Sequence, residues 1–254
     1  MKCFTLYHER DHRWLLFGQD ADKPGNLIDS NQIAVVSGSK AVLFDPGGME
    51  IFPAMIAALS HELPLECIDH LFLSHQDPDI SSALPLWRQV CKAGLQIHTP
   101  GIWTGFLGHF DHDAKLHSIP DEGMDLILSH DVKLQMLPAH YLHSSGNFSV
   151  YDQVAKTLFT GDIGGALVPK EKLGNIFVTD FKEHVHYMDY FHRRWMGSAR
   201  ARDLWVEMVA KLDIEMLVPQ HGLVMKGDDV KRFLDWFAAL PVGSALDAYR
   251  KRIG

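Results

Sequence analysis

Between residues 33 and 45 the chain reads IAVVSGSKAVLFD, two apolar runs rich in β-branched residues on either side of Gly38. Such runs fit a pleated surface, and the glycine between them tolerates a tight turn, so the pattern predicts a β-hairpin. PGG at 46–48 then breaks the chain, and Ile51, Met55, Ile56 and Leu59 recur at helical spacing as far as His61. HLFLS at 70–74 predicts a buried strand, 81–93 a helix and LQIHT at 95–99 a strand, while 100–130 reads as a loop-rich excursion with weak periodicity. VKLQML (132–137), FSVYD (148–152) and TLFTGD (157–162) predict three strands, the last two joined by a tight turn. Phe181 to Leu212 predicts two helices divided near Gly197–Ser198, IEMLVPQ (214–220) a strand, 228–239 a helix and SALDAYRKRIG a short terminal helix. Strand runs with helices inserted early and late imply an α+β fold layered helix, sheet, sheet, helix. No repeat and no Pro/Gly/Ser linker interrupts it, so residues 1–254 are expected to form a single domain.

Composition narrows the function. The 254 residues carry a formal net charge of −8 and no basic stripe, which excludes a phosphate-driven nucleic-acid binder. The opening MKCFTLYHERDHRW is too charged for a signal peptide, and no apolar run approaches the ~20 residues of a membrane span. A cytoplasmic protein without a membrane partner is expected. Cys3, Cys67 and Cys91 are odd in number and widely spaced, which argues for free thiols and against a thiolate metal site. The unusual count is 16 histidines, the side chain that serves both as metal ligand and as near-neutral acid or base.

Five polar sites fall just past predicted strands, where loops gather at one edge of a sheet: Asp45, the segment His75–Asp79, His143, Asp162 and His221. In SHQDPDI (74–80), His75, Asp77 and Asp79 occupy every second position, so an extended loop would turn all three the same way. His143 in PAHYLHSSGNF, Asp162 in FTGDIGG and His221 in VPQHG bring the set to three imidazoles and three carboxylates. That mixed nitrogen and oxygen set suits two iron or manganese ions, with zinc also accepting the same donors. His140 competes with His143 as the third imidazole, and Asp45 in FDPGG reads equally as a turn former.

HxDxD, HSSGN, TGD and PQHG, in this order and after strands, resemble the metallo-β-lactamase superfamily over most of the chain. LSHQDPD, LHSSGNF, FTGDIG and MDYFHRRWMGS are more similar to its diiron branch, the flavodiiron oxygen and nitric oxide reductases, and above all to stand-alone oxygen-binding diiron proteins. The resemblance implies a four-layer αβ/βα sandwich. It implies that His75, Asp77 and His143 hold a first metal, that Asp79 and His221 hold a second, and that Asp162 bridges them. His143 is then the ligand and His140 a support for a neighbouring ligand, with Asp45 steadying the ligand loop. The superfamily pattern commonly reads HxHxDH. Here Asp77 replaces a histidine, which favours iron, and Ile80 stands where the second metal's extra histidine would be, which leaves a coordination position open.

That open position supports a dioxygen-binding diiron protein, acting as a sensor or carrier or as the diiron half of an oxygen or nitric oxide reductase. Only 33 residues follow His221, too few for the FMN domain of flavodiiron proteins, so turnover as a reductase would need a separate redox partner, whereas reversible binding or sensing would need none and leaves room for a signalling partner. The flavodiiron resemblance also points to a homodimer, less strongly without the flavin domain. A second class remains: a dinuclear metallohydrolase cleaving a phosphodiester such as a cyclic dinucleotide, or another small ester, in which Asp79 would position the hydroxide and protonate the leaving group. Arg193, Arg194, Arg200 and Arg202 could meet such an anion, although a solvated helix face is the plainer reading. Within 181–196, His184, His186, His192 and Tyr187 read mainly as core packing, with Tyr187 or a histidine such as His192 reaching the pocket as the alternative.

Overall fold

The computed structural model describes residues 1–20 and 22–253. It divides into two compact units, Met1–Leu137 and Pro138–Gly254. The sequence carries no linker at this division because the boundary falls at the end of a strand, where apolar alternation continues up to it.

The first unit opens with the meander β1 (Lys2–Glu9), β2 (His12–Gly18), β3 (Gln32–Ser37) and β4 (Lys40–Phe44), each strand antiparallel to the one before. Gly38 has φ +59° in the two-residue turn between β3 and β4, as the hairpin reading required. Helix α1 (Phe52–Glu62) leads into β5 (Ile68–Phe72), and α2 (Pro78–Ser81) and α3 (Leu84–Val90) lead into β6 (Gln96–Pro100). The stretch 100–130, expected to be mostly loop, contains α4 (Thr104–Leu107), β7 (Leu116–Ile119) and β8 (Met124–Ile127). These elements are four residues each, too short to impress a period on the sequence. Strands β4 to β7 pair in parallel, giving a seven-stranded sheet in order β1-β2-β3-β4-β5-β6-β7. β8 forms an antiparallel hairpin with β9 (Lys133–Pro138).

One face of the seven-stranded sheet packs Leu15, Leu43, Leu71 and Ile97 against Met55 and Leu59 of α1 and Trp87 of α3. Ile80 of α2 belongs to this core and is 1% exposed. The position after Asp79 is therefore spent on packing.

The second unit holds β10 (Phe148–Asp152), β11 (Thr157–Phe159), β12 (Met216–Val218) and β13 (Met225–Lys226), in the order β13-β12-β11-β10. Its helices are α5 (Phe181–Trp195), α6 (Ala199–Val209), α7 (Asp228–Ala239) and the terminal α8 (Asp247–Ile253). The side chains of Asp180 and Ser198 accept from the backbone N–H groups of Glu183 and Ala201 at 3.1 Å each, capping α5 and α6 where the sequence divides them. Phe233 and Phe237 of α7 are fully buried and stack with ring centroids 5.6 Å apart, while Trp205 of α6 donates its indole N–H to Ser149 Oγ at 3.2 Å.

His184 on α5 is 2% exposed, and neither ring nitrogen has a hydrogen-bond partner among the described residues. Burial holds it down to about 4, against a nearby Asp229 that acts the other way. Because the folded value lies below the unfolded one, the unfolded chain binds more protons between about pH 6.5 and 4, and stability is lost as pH falls through that window. His184→Leu removes this proton and two unsatisfied polar atoms. Urea unfolding of the variant should show a gain over the parent chain that is larger at pH 5 than at pH 8, growing by up to ~1.4 kcal/mol per pH unit below 6.5. An equal effect at both pH values would refute the assignment.

Candidate metal centre

In the first unit, parallel pairing of Phe44 with Phe72 brings the ends of β4 and β5 to one edge. The Asp45 N–H donates to Phe72 O at 2.9 Å, and Asp45 sits at φ +45° with its side chain turned to the neighbouring strand end. Its Oδ1 accepts from the Ser74 N–H at 2.7 Å and its Oδ2 from the Ser74 hydroxyl at 2.6 Å. Since the Ser74 proton is committed to Asp45, Ser74 Oγ acts as acceptor for His75 Nδ1 at 2.9 Å. That relay places the ring proton on Nδ1 and presents the Nε2 lone pair to Asp77 Oδ2, 3.5 Å away.

The extended register anticipated for His75, Asp77 and Asp79 ends at Asp77. Asp77 is extended, with φ −63° and ψ 148°, but Pro78 opens α2 and Asp79 lies in that helix's first turn. A proline at a helix N-terminus has its φ already set and no N–H to satisfy, which explains the start. Strict alternation therefore does not carry to Asp79.

In the second unit, parallel pairing of Phe159 with Val218 gives the corresponding arrangement. Asp162 and His221 each follow three residues past their strands, and β10, antiparallel to β11, enters from the same edge, with His143 in the turn before it. His143 Nε2 lies 3.3 Å from Asp162 Oδ2, and His221 Nε2 lies 3.2 Å from Asp162 Oδ1. One buried carboxylate thus offers a different oxygen to each of two imidazoles. Gly165 N–H donates to Asp162 O at 2.9 Å, Gln220 N–H to Gly161 O at 2.8 Å, and Ala166 N–H to His221 O at 3.1 Å, which ties the Asp162 turn to the His221 turn. His143 is held with φ +74° in a loop closed by Asn147, whose side-chain amide donates to Leu142 O at 2.8 Å.

The chemistry of these donors fits a transition metal. Contacts of 3.2–3.5 Å are longer than a charge-assisted hydrogen bond of ~2.7–2.9 Å. They match the roughly 3.0–3.5 Å between two ligands that each stand about 2.0–2.2 Å from one ion. In the His75 pair, moreover, a lone pair faces a carboxylate, a juxtaposition that a cation relieves.

The other residues singled out in the sequence make contacts of their own. His140 lies edge-on to Phe148, with ring centroids 5.2 Å apart. Tyr187 donates its hydroxyl to Glu183 Oε1 at 3.1 Å. His192 is fully buried among Phe233, Trp236 and Phe237; its Nδ1–H donates to Met188 O at 2.8 Å and its Nε2 accepts from the Gly164 N–H at 2.8 Å. Both nitrogens are committed, so His192 is no substitute ligand for the position taken by Ile80. Its role as a backbone anchor for the loop after Asp162 was not visible in the sequence, because the partner is a main-chain N–H. Of the arginines, Arg193 bonds Asp189 at 2.7 Å, and Arg202 bonds Asp203 at 2.6 Å and the Leu240 carbonyl. Internal pairing thus engages two of the four arginines.

Residues 28–222 match the sequence model of the family described as ODP family beta lactamase. The chain is 32% identical to the chemotaxis sensor ODP solved as its peroxy diiron species, covering 100% of both chains with TM-score 0.86. It is 33% identical to the apo state of chemotaxis sensor ODP from T. denticola, covering 100% of this chain and 99% of that one with TM-score 0.88. A flavo di-iron protein variant from Thermotoga maritima is 20% identical with TM-score 0.78 over 93% of this chain and 61% of that one, a likeness of fold alone. Among curated proteins, an uncharacterized protein of Methanocaldococcus jannaschii is 22% identical over 207 residues, and the chain spans about half (51%) of its length. The fold is accordingly mixed α/β, with two sheets and helices, of the metallo-β-lactamase-like kind expected from the motifs. No helix among the described residues is long and apolar enough to cross a membrane.

Proposed function

The chain belongs to the ODP beta-lactamase family, and from that premise we propose that it is a non-haem diiron protein that binds dioxygen and acts as an oxygen sensor. The two units serve as halves of one metallo-β-lactamase-like domain, a reading supported by a family match that runs through their boundary. On the family's pattern, His75, Asp77 and His143 would hold one iron and Asp79 and His221 the other, with Asp162 shared between them. The observation that carries this reading is Asp162, with one oxygen toward His143 and the other toward His221. Two ferrous ions held by these residues would supply the two electrons that dioxygen binding draws on.

The chain's own residues do the rest. Asp45 and Ser74 keep the His75 proton on Nδ1, so Nε2 is always ready as a donor. Asp77 in place of an imidazole raises the oxygen share of the donor set and favours iron over zinc. Ile80, packed into the core, offers no further donor. These residues act as ligands and supports, and none is needed as a proton donor. As a sensor, rather than a carrier, it would act through a partner that reads its bound state. We therefore place it with a separate signalling partner, in keeping with relatives solved as chemotaxis sensors.

The test is metal content and visible absorption of protein purified without oxygen. Two irons per chain, and a new band on admitting air that disappears under vacuum, are expected. Two zinc or manganese ions with a silent spectrum and turnover of a phosphodiester would replace this reading with the hydrolase. Oxygen consumed far in excess of iron, when an electron donor is supplied, would replace the sensor with a reductase.

A further inference from the structure

The first unit carries a second group of imidazoles that the diiron reading does not use. His70 on β5, His98 on β6 and His117 on β7 stand on three successive parallel strands, with His98 directly opposite His117. The rings of His70 and His98 have centroids 5.2 Å apart, and those of His98 and His117 5.5 Å. His98 is 3% exposed and His70 7%, whereas His117 lies at the surface.

Protons decide what this row can do. His70 Nδ1 and His98 Nε2 are 3.1 Å apart, room for one shared hydrogen. The other His98 nitrogen, Nδ1, is buried without a hydrogen-bond partner among the described residues. Were the shared hydrogen on His70, His98 Nδ1 would have to carry an orphaned buried N–H, the costlier arrangement. His98 Nε2–H therefore donates to His70, and His98 Nδ1 is a bare lone pair inside the protein. A ligand histidine fixed by a hydrogen bond from its second nitrogen has this form. Burial, reinforced by His70 and His117, holds His98 down to about 4, and burial also lowers His70. Neither needs to shed a proton to serve at neutral pH. Around the row, Asp69 favours a cation while Lys40 and Lys92 oppose one, and Lys92 is itself paired to Asp69.

We propose that His98 Nδ1 and the His117 imidazole, with His70 fixing the His98 tautomer, bind one divalent transition-metal ion in a mononuclear site separate from the diiron centre. His98 is the buried ligand, His117 the ligand on the solvent side, and water completes the shell. An imidazole pair with water suits Cu²⁺, Ni²⁺ or Zn²⁺, with Cu²⁺ held most tightly.

The test titrates Cu²⁺ into the full-length protein with its dinuclear centre already saturated with zinc, reading total metal and the nitrogen splitting in the electron paramagnetic resonance spectrum. One copper per chain beyond the two zinc ions, showing imidazole nitrogens, is expected. His117→Ala, at an exposed position, should weaken that copper at least tenfold, and His70→Leu should weaken it while the first two metals stay. His221→Ala should disturb the first two and leave the third, so failure of one reading is distinguishable from failure of the other. Absence of a third equivalent, copper taken up only as zinc is released, or a third equivalent unchanged in His117→Ala would overturn the proposal.

Discussion

Asp162→Ala should lower the metal content from two ions per chain to near zero, while the metal-free protein keeps its thermal stability. The expectation follows from the two contacts of this carboxylate, 3.3 Å to His143 Nε2 and 3.2 Å to His221 Nε2. Other ligands belong to one metal in the proposed centre, but this one belongs to both, so its removal takes a donor from each shell and the anionic charge from between them. Removal of a group that merely supports one ligand typically costs 10–100-fold in affinity, about 1.4–2.7 kcal/mol. Losing a shared anionic ligand should exceed that for each ion. Stability of the metal-free form separates ligation from folding: Asp162 is 3% exposed, and a buried carboxylate costs desolvation that alanine does not. Metal analysis after dialysis and thermal unfolding of the metal-free chain are the measurements. Asp162→Asn, which keeps one oxygen donor, should fall between the two. A fully loaded alanine variant would remove Asp162 from the bridge.

The ligand edge was legible in the sequence because one rule generates it. Apolar runs short enough to be strands end at Asp45, His75, Asp162 and His221, and parallel pairing of β4 with β5 and of β11 with β12 brings each pair of ends to a common edge. Chain order and burial alone suffice for that inference. The geometry of Asp79 was less legible, because alternation at 75, 77 and 79 suits an extended loop and Pro78 at a helix start outweighs it. The division after Leu137 left no mark either, since β9 keeps an alternating pattern and the boundary needs no polar linker. Least visible were pairings between a side chain and something without a sequence signature, such as His192 on the Gly164 N–H, or His98 on an imidazole 28 residues away. Sixteen histidines announced metal chemistry, and only their strand registers show that they fall into more than one group.

Gly222→Ala should be the most damaging single-methyl change near the centre, with a loss on the order of 2–5 kcal/mol and retention of about one metal per chain. Gly222 follows His221 directly and has φ +87°, a conformation that L side chains seldom adopt. An added Cβ would stand 2.8 Å from Ala166 Cβ, 2.8 Å from Ala166 O and 3.2 Å from Ala166 Cα. The obstacle is mostly main chain, so no rotamer change relieves it. The strain must move either the His221 turn or the segment from Asp162 to Ala166, which are joined by the hydrogen bond from Ala166 N–H to His221 O. Left-handed strain contributes ~1–3 kcal/mol and overpacking a similar amount, which at ~2–4 °C per kcal/mol lowers Tm by on the order of 10 °C. Displacing the His221 ring unseats one ligand of the second metal while His75, Asp77 and His143 keep theirs. Gly174→Ala is the control, since a Cβ there meets nothing within 4 Å and its φ is not in the positive range; it should leave both readouts unchanged or raise Tm slightly. Calorimetry and metal analysis on the two variants test the argument together. Wild-type Tm and two metals in Gly222→Ala would mean that the turn yields, and that His221 is not held by the hydrogen bond from Ala166 N–H.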